Sequence, residues 1–159
     1  MVVFSFLAAL LFVALLCVVI NKYGVPEMVS SIYYMMGKHG WVFQLVMMLF
    51  GMLMMVCLLD CGRGVQCFAF LACAGLMFVG AAPRFLDENE RKIHKTAATV
   101  CAFASVAWCL TVDWKIVVAL LGWYAVFWAC RSEDDHPWFM AEVTAILMVL
   151  LTYWSVIEC

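Results

Sequence analysis

The first charged side chain in this sequence is Lys22, and the stretch before it, residues 2–20, is almost wholly apolar. Four more stretches carry no charge and no histidine: residues 41–59, 64–82, 96–112 and 116–130. A sixth, residues 137–157, holds a single charge, Glu142. A bilayer core takes about 20 apolar residues of helix to cross, and only helices or closed barrels satisfy their backbone polar groups in lipid. No strand-like alternation runs through these stretches. The sequence therefore predicts an all-α membrane protein, a six-transmembrane-helix bundle forming one integral membrane domain over residues 1–159.

Composition agrees with that pattern. Apolar residues make up 69% of the chain and charged ones 13%, where a soluble domain carries about 25% charged residues. Nine Lys and Arg stand against eleven Asp and Glu, with no basic stripe of the kind that binds nucleic acid. Residues 2–20 lack a basic leading segment and read as a span rather than a signal peptide. No proline falls inside a span. Pro26 lies in the first loop, Pro83 follows the third span, and Pro137 suits the first turn of the sixth, behind capping candidates Asp134 and Asp135.

The loops add two expectations. In the first, Met28, Val29, Ile32, Tyr33 and Met36 share one helical face, which predicts a short interfacial helix. In the third, Asp87 and Glu90 stand in capping-box register, so the fourth helix is expected to start near Asp87, ahead of the lipid.

Charge is distributed unevenly. Lys22, Lys38, Arg84, Arg91, Lys92, Lys95 and Arg131 lie in the odd-numbered loops, and only Arg63 and Lys115 lie opposite. The excess of Lys and Arg predicts that the odd loops are cytoplasmic and both termini external, in a bacterial inner membrane. His39, His94 and His136 belong to the same face, and Glu142 lies six residues, about 9 Å, beyond His136. A carboxylate at that depth is costly and marks a functional position by default. On a helix His94 lines up with Ala97, Ala98, Cys101 and Ser105, a small-residue face suited to close helix packing. Glu90 precedes it by one turn, and Ala69, Ala72, Cys73, Gly75 and Gly80 give the third span a matching surface. Together these choose a polar pocket of Arg84, Asp87, Glu90, His94, His136 and Glu142.

What the pocket does is open between three classes. One is a non-enzymatic site for membrane lipids, a small ligand or a partner protein, with a homo-oligomer among the options. A second is a zinc-dependent membrane hydrolase with His94, His136 and Glu142 as ligands, an imidazole–carboxylate set that activates water when one position is open. Against it, no H-x-x-x-H or H-E-x-x-H spacing occurs, and histidines at helix ends also arise as interfacial anchors. The third is a small channel or transporter, for which Thr111, Thr152 and Ser155 offer a sparse polar track and no internal repeat is visible. No serine sits in a G-x-S-x-G turn. Most cysteines read as small packing residues, and a Cys61–Cys67 bridge is open if that turn faces an oxidising compartment. The methionines at 47, 48, 52, 54 and 55 read as pliable packing, and the tryptophans as interfacial anchors.

The segment Val79-Gly80-Ala81-Ala82-Pro83-Arg84-Phe85, followed by Ile93-His94-Lys95-Thr96-Ala97-Ala98, resembles the third-loop pattern of DRAM-like six-span membrane proteins. It is also similar to small bacterial and phage membrane proteins with a Trp-rich helix pair and a late Glu, here Trp123, Trp128 and Glu142. The likeness covers about 80 residues. It implies six helices and a role for His94, and brings no established activity.

Overall fold

The computed structural model describes residues 1–83, 86–132 and 135–157, and its regular structure among these is entirely helical. The order is α1 (Val2–Tyr23), a 3-10 turn (Val29–Ser31), α2 (Ile32–Met35), a second 3-10 turn (Gly37–His39), α3 (Gly40–Asp60), α4 (Gln66–Ala81), α5 (Glu88–Cys130) and α6 (Pro137–Ile157). Four segments are long and apolar enough to cross a membrane: α1, Gly37–Asp60, α5 and α6. That pattern is a multi-pass helical membrane protein.

Each long helix buries one stripe and leaves the rest of its apolar surface outside. On α1 the stripe is Ser5, Ala8, Phe12, Leu15 and Val19, at alternating steps of three and four. On α3 it is Phe43, Met47, Phe50, Met54 and Cys57. Phe12 and Phe50 pack with ring centroids 5.7 Å apart. Outside, Val3 is 76% exposed and Phe103 70%, positions that an aqueous protein would bury and that lipid solvates at no cost. Between helices in lipid there is little hydrophobic drive, so close packing of small residues must hold them. That is what α4 and α5 do. A Cβ on Gly75 would stand 2.9 Å from the Cys101 backbone nitrogen and 3.0 Å from the Ala97 carbonyl. The small faces of the two helices thus meet, as their sequences lead one to expect.

α4 is shorter than the 64–82 stretch from which it comes. Gly62 and Gly64 take left-handed φ of 62° and 65° to reverse the chain, so the helix cannot start before Gln66. Its end is set by Pro83, which disfavours helical geometry at Ala82, where φ is −116° and ψ 62°. Sixteen residues make about 24 Å of helix.

α5 starts where the capping pattern places it. Asp87 is its N-cap and accepts a hydrogen bond from Asn89 N–H at 3.0 Å. Its 43 residues are interrupted at Asp113, which has φ −148° and ψ 92°. The Asp113 carboxylate accepts from Lys115 N–H at 3.0 Å, the bond a capping residue makes to the turn that follows it. Two arms result, 88–112 and 114–130. The first ends beside the α3–α4 turn, with Trp108 Nε1 donating to the Arg63 carbonyl at 3.1 Å. In the second, the Tyr124 hydroxyl donates to the Pro137 carbonyl at 3.1 Å.

Those contacts fix direction. Trp154 on α6 donates to Ser5 Oγ at 3.0 Å, and Cys57 Sγ donates to the Met1 carbonyl at 3.4 Å. Met1, Cys57, Trp108 and Trp154 therefore mark one end of the bundle, and Pro137 the other. The second arm runs back from Asp113 towards the Pro137 end.

The first loop departs from the expected interfacial helix. Residues 29–39 form three short helical turns rather than one helix, and Pro26, Val29, Ile32 and Met36 are buried against the bundle instead of facing lipid. Helix geometry breaks at Gly37, whose φ is 51°. The Tyr34 hydroxyl accepts from Leu86 N–H at 3.0 Å and ties this segment to the loop before α5.

Candidate functional site

Small side chains on two facing helices leave a gap near the Pro137 end. Ala98 and Ala102 on the first arm of α5, with Ala141 and Ala145 on α6, line one side of a cavity of about 420 Å³. Phe43, Met47, Phe50 and Met54 of α3 line the opposite side, and Cys73, Leu76 and Val79 of α4 complete it. The volume lies within the range of about 300–1,000 Å³ typical of small-molecule pockets. Three lining residues, Thr99, Ala102 and Trp138, are exposed and mark a mouth between α5 and α6. Trp138 is 64% exposed.

The cavity has one polar end. Glu142 lines it there with Val29 and Ser30. The Glu142 carboxylate accepts the Val29 N–H at 2.5 Å, with the Ser30 N–H as a second backbone donor. Both donors open the Val29–Ser31 turn, where N–H groups lack a partner within the helix. Glu142 thus caps a helical turn from another part of the chain. Ser31 Oγ completes the turn by donating to the Met28 carbonyl at 2.7 Å. No Lys, Arg or His lines the cavity among the described residues. The Thr99 hydroxyl at the mouth is spent on the Lys95 carbonyl at 2.9 Å.

The other described residues singled out for the pocket do not line the cavity. His94 is buried, and its Nδ1 pairs with the Ala82 carbonyl at 2.9 Å. A carbonyl only accepts, so Nδ1 carries the proton, and the ring clamps the end of α4 to the start of α5. Ala98, Cys101 and Ser105 on the same face of the helix continue into the cavity wall. Asp87 is exposed as the α5 cap, and Glu90 is half-buried one turn before His94. His136 is half-buried just before α6, where its carbonyl accepts from Met140 N–H at 3.1 Å. His39 is exposed ahead of α3. Arg84 lies outside the described residues, as does Asp134. Among the described residues, no three His, Cys, Asp or Glu side chains gather closely enough to hold a metal ion. Cys61 and Cys67 carry free thiols.

The cavity itself is what the sequence pattern concealed. Its walls come from four helices, and most wall residues taken singly are ordinary apolar side chains. One signal points to it: Ala141 and Ala145 flank Glu142 on α6, as small as the residues facing them on α5.

Family models, characterised proteins and solved structures were compared with the chain, and none matches.

Proposed function

We propose that this chain crosses the membrane six times and serves as a non-enzymatic binding protein that holds one hydrophobic ligand within its helices. The observation that carries this is the cavity of about 420 Å³, apolar along most of its walls, with Glu142 as the one charged lining residue among the described residues. An apolar pocket with a few convergent polar groups is the usual form of a ligand site. The six crossings rest on the capped break at Asp113 and the return of the second arm to Pro137. A continuous helix of 43 residues would be about 64 Å long, twice the hydrocarbon thickness. In this arrangement the Glu142 end carries the odd loops, and their excess of Lys and Arg directs it to the cytoplasm.

The mouth at Thr99, Ala102 and Trp138 faces the side of the bundle, so the ligand enters from the lipid phase. The test is saturable binding of a fluorescent alkyl-chain probe to the purified protein in detergent. One probe per chain is expected, with binding lost in Ala145→Phe, which fills the cavity. It is expected to be unchanged in Gly122→Phe, a site on the outer arm with no neighbour within 4 Å. Non-saturable binding, indifferent to Ala145→Phe, overturns the proposal.

A further inference from the structure

Glu142 is the one charged side chain lining the cavity among the described residues. An ionised carboxylate is an acceptor only, with about four lone-pair sites. The N–H groups of Val29 and Ser30 occupy two of them. What remains can be met only by a proton donor, and the cavity walls offer only the hydroxyls of Ser30 and Ser105 and the thiols of Cys73 and Cys101, besides Thr99 and Trp138 at the mouth. A guest head that is itself a carboxylate, sulfate or phosphate would bring like charge against Glu142, and among the described residues no basic side chain lines the cavity to compensate. In a low-dielectric setting that juxtaposition is heavily penalised. Size acts on the other end of the guest. The volume lies near the lower end of the ligand-pocket range of about 300–1,000 Å³, and one polar end means one head group.

From this we infer that the ligand is a single-tailed amphiphile whose head is an uncharged or cationic hydrogen-bond donor, a long-chain alcohol or amine, bound with its head on Glu142 and its tail between Met47, Met54 and Ala145. The inference rests on the proposed binding function and adds the head-group rule. Selectivity arises by rejection as well as attraction, because anionic amphiphiles with the same tail are excluded by charge.

A series with one tail separates the two claims. Hexadecylamine, hexadecanol, hexadecanoate and hexadecyl sulfate are each used to displace the fluorescent alkyl probe from the whole chain in neutral detergent at neutral pH. The amine and alcohol are expected to compete at least about tenfold more strongly than the two anions. In Glu142→Gln, which keeps one acceptor oxygen for the Val29 turn, the gap between amine and anions is expected to close to within about threefold. Equal competition by all four in the wild-type protein, still abolished by Ala145→Phe, overturns the head-group rule and leaves the cavity as a binding site. Competition by none, or by all regardless of Ala145→Phe, overturns the cavity function and the rule together. The wild-type series decides the rule even if Glu142→Gln does not fold.

Discussion

Glu142 on α6 and the backbone N–H of Val29, 113 positions apart, meet in a hydrogen bond of 2.5 Å at the polar end of the cavity. The carboxylate is thereby both a structural cap and part of the cavity lining. Its removal is expected to have two separable consequences. Glu142→Ala strips the acceptor from buried N–H groups, at about 1–3 kcal/mol for each one left unpaired. Thermal unfolding in detergent should show that loss, with residues 24–39 becoming the first site of proteolysis. Glu142→Gln should retain most of the stability. Equal stability of wild type and Glu142→Ala would refute the cap.

Packing between α4 and α5 depends on Gly75. Gly75→Ala places a methyl within 3.0 Å of the α5 backbone at Ala97 and Cys101, and overpacking of this kind costs about 1–3 kcal/mol. Gly122 has open space around it, so Gly122→Ala should be neutral or gain up to about 1 kcal/mol from helix propensity. Melting temperatures of the two variants, measured side by side, check the contrast.

Asp113 caps the second arm of α5. Asp113→Ala should cost about 0.5–2 kcal/mol, while Asp113→Asn, which keeps an acceptor oxygen, should cost less. The readout is again thermal unfolding, and equal losses in both variants would show that the side chain does not cap.

The reversal at Asp113 also predicts sidedness. Cys67 and Cys130 are both exposed, at opposite ends of the bundle. In single-cysteine variants, a membrane-impermeant thiol reagent should reach them from opposite sides of sealed vesicles. Labelling from one side only would mean that α5 does not turn back.

Much of the scaffold was legible because lipid makes it so. Uncharged stretches located the helices, the Asp87 pattern set the start of α5, and the small face below His94 anticipated its contact with α4. Local polar geometry was less accessible. His94 pairs with the Ala82 carbonyl and Glu142 with Val29 and Ser30 N–H groups. Backbone partners carry no side-chain signature in sequence. The first loop misled for a related reason. Its apolar face suits lipid and protein equally, and here Ile32 and Met36 are buried. The cavity was hidden because it is a property of four helices at once.

Binding as proposed puts a hydrophobic chain inside the bundle. Its most direct test is to illuminate the purified protein with an alkyl alcohol bearing a photoreactive group in its tail, and to map the adducts by mass spectrometry. Adducts are expected at Met47, Cys101 and Ile146 inside the cavity, lost in Ala145→Phe. Adducts confined to outward residues such as Phe103, Val118 and Val126, and indifferent to Ala145→Phe, would contradict it.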